Sequence, residues 1–170
     1  MSKQFFLFFM VSLWPMTTWG QDPYAQDVTS EDAIVNAVYE TISGPKGERR
    51  NWDRMRYLMA PGARFIPTRP STEGKRVPCF LTLDEFIAQG DEWLMENGFF
   101  ESEISRRSET FGLITHVWST YASRWIPDEE PFARGINSLQ LMNDGERWWI
   151  INLYWAAETE ENPLPKKYLK

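Results

Sequence analysis

Apolar residues recur at helical spacing in the first half of the chain and at every second position in the second half, which predicts helices followed by strands. Ile34, Val35, Val38, Tyr39 and Ile42 make one helical stripe. Thr29, three residues before Asp32, has the spacing of a capping box, and Ser43-Gly44-Pro45 ends the run. Asn51 is placed to cap a second short helix through Trp52, Met55 and Leu58, stopped by Pro61-Gly62. Residues 64–67 and 76–80 read as short strands, and Pro78 assigns the second to a sheet edge because proline donates no ladder hydrogen bond. A third helix opens on a Thr82/Glu85 capping box, turns Phe86, Ile87, Trp93 and Leu94 inward and closes at Asn97-Gly98.

From there the period is two. Phe100, Ser102, Ile104 and Arg106 alternate with Glu101, Glu103, Ser105 and Arg107, which puts Glu101 and Glu103 outside unless a bulge re-aims the strand. Residues 113–125 form a long strand with Ile114, His116, Trp118, Thr120 and Ala122 on one face. The last hairpin, residues 134–155, is centred on Asp144-Gly145, a strong turn signal because both residues tolerate positive φ. A two-residue turn there pairs Leu141 with Trp148, Leu139 with Ile150, Asn137 with Asn152 and Gly135 with Tyr154. Those eight residues then share one face, apolar near the turn and polar further along. Met142, Gln140, Ser138 and Ile136 lie on the other face with Trp149, Ile151, Leu153 and Trp155.

This order predicts an α+β domain at residues 29–157, with a curved antiparallel sheet of about six strands wrapped around three helices from the N-terminal half as a cone-shaped barrel. Residues 21–28 read as a flexible leader and 158–170 as a flexible tail. No internal repeat or low-complexity block interrupts the chain.

Composition adds a targeting segment and removes several function classes. Lys3, the apolar run from Phe5 to Trp14, and small residues at Thr18 and Gly20 have the layout of a secretory signal peptide over residues 1–20. A retained membrane anchor is the alternative, but such a helix needs roughly 20 apolar residues. Loss of residues 1–20 takes the formal net charge from −6 to −7, since Lys3 is their one charged residue. An acidic protein with scattered basic residues is a poor partner for nucleic acid or for an anionic membrane. The expected location is secreted or periplasmic. Cys79 is the single cysteine and His116 the single histidine. One thiol closes no disulfide within the chain and lies far from the signal's end, so it does not suit lipid attachment. No metal site is expected either, because zinc sites need three or four ligands at recognisable spacings.

Trp52, Met55, Leu58, Pro61, Ala63 and Phe65 resemble the second helix running into the first strand of the nuclear-transport-factor-2-like superfamily, which includes SnoaL-like polyketide cyclases and ketosteroid isomerases. Residues 147–155, ArgTrpTrpIleIleAsnLeuTyrTrp, are similar to its closing strand. The resemblance spans roughly residues 30–157 and rests on core positions. It implies the fold, a pocket inside the cone, polar groups on the closing strand at the positions of Asn152 and Tyr154, and dimers through the sheet. A superfold of this kind hosts enzymes and binding modules alike.

The candidate ligand-binding residues are Tyr39, Trp52, Trp118, Asn137, Asn152 and Tyr154. His116 is the candidate acid/base, because histidine alone titrates near neutrality unaided. It is equally read as a histidine held by a structural hydrogen bond, and Trp52 and Trp118 as core. Three functions follow: a secreted module binding a small apolar or aromatic molecule; a cofactor-independent isomerase, dehydratase or cyclase using His116 with Tyr154, Tyr39 or Asp53; or a structural homodimer with a filled cone. No cofactor is called for in any of them.

Overall fold

A computed structural model describes residues 22–170. The secretory segment read at residues 1–20 lies outside the described residues. Helix α1 spans Glu31–Ile42, α2 Trp52–Leu58 and α3 Leu83–Asn97. The strands are β1 Met59–Pro70, β2 Arg76–Pro78, β3 Phe100–Phe111, β4 Ile114–Arg124, β5 Ala133–Asn143 and β6 Trp148–Ala157.

Capping chemistry sets the helix starts. Asn51 accepts from the Arg54 amide at 3.0 Å, and Thr82 and Glu85 complete their reciprocal box at 3.2 and 2.7 Å. The first helix is capped by Ser30 rather than Thr29, its hydroxyl accepting from the Ala33 amide at 3.0 Å. Gly98 ends α3 at φ 74°, a conformation that favours glycine.

The six strands form one sheet in the order β2-β1-β6-β5-β4-β3. Two features differ from the expected antiparallel barrel. The β1 strand runs parallel to β6, and the sheet is open, with β2 and β3 at its edges. The long connection from β1 to β6, with β2, α3 and three strands between them, permits the parallel pairing. Pro61-Gly62, expected to stop the helix, instead falls within β1 at a register shift.

The helices cover one face of the sheet. Ile34 and Val35 of α1, Met55 and Leu58 of α2, and Val117, Leu139, Leu141 and Ile150 of the strands are fully buried between the layers. Burying such side chains stabilises by roughly 1.5–3 kcal/mol each, which is the driving force in a chain without disulfides. Val28, in a 3-10 turn at Ala25–Val28, also joins this core, so the leader read as flexible contributes an anchor.

The C-terminal tail lies on the opposite face of the sheet. Tyr168 stacks on Trp118 at 5.5 Å and 19°. Thr120 donates to the Tyr168 carbonyl at 2.7 Å, and Ser105 to the Lys170 carbonyl at 2.7 Å. Where the sequence suggests a frayed end, aromatic stacking and strand hydroxyls hold it.

Candidate functional site

Two bulges decide which side chains face the helices. In the last hairpin Asn143 pairs with Trp148 and Leu141 with Ile150, so the turn has four residues, Asp144 to Arg147, rather than two. Asp144 organises it: its carboxylate accepts from the Glu146 and Arg147 amides, both at 2.8 Å. A register shift then follows, and Gln140 pairs with Asn152. Ile151 is the extra residue. Leu139 therefore pairs with Leu153 and Asn137 with Trp155, instead of with Ile150 and Asn152. The bulge turns Leu153 and Trp155 inward and sends Asn152 and Tyr154 out, which reverses the expected alternation for that half of β6.

The second bulge lies in β3. Glu103 pairs with Tyr121 and Ser105 with Thr120, which leaves Ile104 as the unpaired residue, 43% exposed. Glu101 and Glu103 thereby point to the helix side, not outside as their alternation suggests.

Between α3 and the sheet lies a cavity of about 230 Å³. Val38, Ile42, Met55, Phe65, Phe86 and Leu153 supply apolar walls, with Trp155 set edge-on to Phe86 at 6.0 Å. Trp93 also lines it while remaining 45% exposed, so it marks the mouth. Four rings close a circuit there: Trp93, Trp125, Phe132 and Phe99, with neighbouring centroids 4.1–6.4 Å apart.

The polar lining consists of Glu101 and Asn137. Ser123 donates to Glu101 Oε2 at 2.9 Å, and Asn137 Nδ2 to Oε1 at 3.2 Å. Burial pushes the Glu101 carboxyl up to about 7, while those two hydrogen bonds pull it the other way. The Asn137 amide also donates to the Tyr39 hydroxyl at 3.1 Å, Tyr39 meets Ser119 Oγ at 2.5 Å, and Ser119 donates to Glu103. Arg106 closes this chain on Glu103 at 2.7 Å. Burial and the nearby Glu101 charge raise the phenols of Tyr39 and Tyr121 far above their usual value, so both remain protonated donors. The arrangement provides an apolar compartment with a carboxyl that changes charge near neutral pH, backed by donors whose protonation is fixed.

Of the residues singled out from the sequence, Tyr39 and Asn137 meet at this polar end. Trp52 stands behind the wall, edge-on to Phe86 at 6.1 Å, with its indole donating to Asp91 at 2.7 Å. His116, Trp118, Asn152 and Tyr154 lie on the opposite face. His116 Nε2 meets Ser138 Oγ at 2.9 Å, and its ring lies 5.1 Å from Trp118. Asp53 sits in an exposed pair with Arg56. Sequence reasoning missed Glu101 as a site residue. The available signal was the polar row Ser119, Ser123 and Asn137 at inward positions of two neighbouring strands, which calls for a polar partner on the strand beside them.

The sequence matches no protein-family model and no curated protein. Folded chains do match. An NTF-2-like protein of unknown function from Silicibacter pomeroyi DSS-3 superposes with a TM-score of 0.50 at 15% identity, over 75% of this chain and 92% of that one. The Kfla4162 protein of Kribbella flavida gives a TM-score of 0.53 at 10% identity, over 74% and 86%. The chain has the nuclear-transport-factor-2-like fold. In this NTF2-like fold the helix-covered face of the sheet carries the cavity, and the tail occupies part of the other face. No helix among the described residues is long and apolar enough to cross a membrane.

Proposed function

We propose that this NTF2-like domain binds a small, mainly apolar molecule in the cavity under α3, with the molecule's polar end at Glu101 and Asn137. The observation that carries this reading is the joining of apolar and aromatic walls to one convergent polar end, the usual composition of a ligand site. An engineered cavity of about 150 Å³ accepts benzene, so about 230 Å³ suits one ring with a short substituent. Gly90 supplies the test. A Cβ there meets nothing within 4 Å, so Gly90→Phe fills space beside the cavity without backbone strain. Two-dimensional NMR with 2-phenylethanol should show saturable shifts of cavity residues in the wild type and none in Gly90→Phe at unchanged or higher melting temperature. Equal binding by both proteins would reject the cavity as the site.

A second reading follows from the same carboxyl at the cavity wall: proton transfer at a carbon beside a carbonyl, with Glu101 as the acid/base. Wild-type protein should then speed deuterium exchange into the methyl group of acetophenone, and Glu101→Gln should not. Exchange at the buffer rate with wild-type protein would remove this reading and leave binding. His116 is not the base in either reading, because it lies on the face of the sheet opposite the cavity.

Export with cleavage after Gly20 belongs to the same proposal, supported by Lys3 and the apolar run from Phe5 to Trp14. An intact mass beginning at Gln21 from periplasm or medium supports it, and a full-length mass confined to membranes refutes it. The homodimer expected through the outer face keeps Trp149 but loses Leu153 and Trp155 to the inner face, and the tail competes for the area around Trp118. Light scattering at micromolar concentration should give twice the chain mass if the pairing holds. A monomer that dimerises only after deletion of residues 158–170 would assign that area to the tail instead.

A further inference from the structure

The proposed ligand site holds a carboxyl that no cation among the described residues pairs with. Glu101 takes its hydrogen bonds from neutral donors, Ser123 and Asn137. Cations near it are committed elsewhere. Arg106 is spent on Glu103 and Asp32. Arg124, across the cleft between α1 and β3, donates to Ser102 Oγ and to the Glu129 carbonyl. Arg50 is occupied by the carbonyls of Ile42, Gly44 and Glu48. A deep carboxylate without a cation is costly, so it holds its proton unless a cation binds beside it. The walls that lead to it are Phe65, Phe86, Trp93, Phe99 and Trp155, whose ring faces attract cations.

We propose that the cavity selects a one-ring arylalkylamine, its ammonium seated on the Glu101 carboxylate and its ring held between the aromatic walls. This rests on the cavity being a ligand site. An ammonium gives Glu101 a charge-assisted hydrogen bond in a water-poor setting, where such bonds are about twice as strong as neutral ones. A carboxylic acid ligand meets like charge at the same point. A neutral alcohol of equal shape fills the space and leaves Glu101 uncompensated.

The proposal fixes a pH dependence. The groups facing Glu101 are Tyr39 and Glu40 of α1, Glu103 of β3, Tyr121 and Arg124 of β4, and the uncharged Asn137 of β5. The phenols stay protonated, and Glu103 is matched by Arg106. Arylalkylammonium groups, with a lysine-like pKa of about 10, keep their charge through neutral pH. Amine affinity therefore rises with pH as Glu101 ionises through about 7.

Calorimetry of the purified protein with phenethylamine, 2-phenylethanol and phenylacetate tests this. At pH 8 phenethylamine should bind at least about tenfold more tightly than 2-phenylethanol, with phenylacetate weakest, and the advantage should fall below about twofold at pH 5.5. In Glu101→Gln the amine-to-alcohol ratio at pH 8 should fall to about one. Alcohol binding equal to amine binding at pH 8 overturns the ammonium assignment and leaves the cavity reading standing. An amine advantage that persists in Glu101→Gln also overturns it. If no probe binds, the cavity reading fails and this inference with it. Should Glu101→Gln not fold, the wild-type ratio decides alone, and a ratio independent of pH overturns the proposal.

Discussion

On the helix-covered face of the sheet, Glu101 lines an aromatic-walled cavity with a carboxyl lifted to about 7 and no cation among its hydrogen-bond partners. On the other face His116 is joined to Ser138, and the neighbouring Trp118 is stacked beneath Tyr168 of the tail. Both faces place a titratable group beside tryptophan. They differ in what the aromatic rings enclose: space on the first, the chain's own C-terminus on the second. Glu101 is the candidate for chemistry because burial shifts its carboxyl and because it lines an open compartment.

Gly135 reports how tightly the inner face is packed. A Cβ there would approach the Tyr121 hydroxyl and the Ala156 carbonyl, each at 2.4 Å. Gly135→Ala should lose about 3 kcal/mol in urea unfolding, as overpacked sites do, because backbone and ring cannot both retreat. A loss below about 0.5 kcal/mol would show that the inner face is looser than described.

Glu101 gives the next effect, and its sign is set by the raised carboxyl. Its folded value of about 7 exceeds the ordinary 4.5, so its contribution to stability is complete below the ordinary value and is lost as pH rises through 7. The stability of wild type relative to Glu101→Gln should therefore fall by roughly 2 kcal/mol between pH 5 and pH 8. A difference that stays flat would mean that the carboxyl titrates as an exposed one does.

The outer face should respond more weakly. Tyr168→Ala removes the stack on Trp118 and should cost about 1 kcal/mol while leaving cavity affinity within about twofold. A larger change in affinity would couple the tail to the cavity. His116→Gln should shift stability by less than about 0.5 kcal/mol and should not alter binding in the cavity.

Much of the fold was legible because periodicity and capping act locally. The Thr82/Glu85 box, the Asn51 cap and the Gly98 stop are present as read, and the edge strand with Pro78 is present but ends at Pro78 rather than at residue 80. The parallel β1–β6 pair was not legible, since partner choice between distant strands leaves no local pattern. The site was half legible. Tyr39 and Asn137 face the helix side as read, because neither position was reached by counting across a bulge. Asn152 and Tyr154 were misplaced by the extra residue at Ile151, and Glu101 by the one at Ile104. A single added residue puts the two sides of a strand out of phase, so alternation read across Ile104 or Ile151 assigns one side to the wrong face, and neither isoleucine carries a glycine or proline signal that would mark it.

NMR from pH 4 to pH 9, with and without saturating 2-phenylethanol, can follow the side-chain resonances of Glu101 and His116 together. Glu101 should titrate with a midpoint of about 7 and shift when the ligand binds, while His116 should show no ligand effect. A Glu101 midpoint near 4.5, or a ligand that moves His116 and leaves Glu101 unchanged, would contradict the assignment of the site to the Glu101 face.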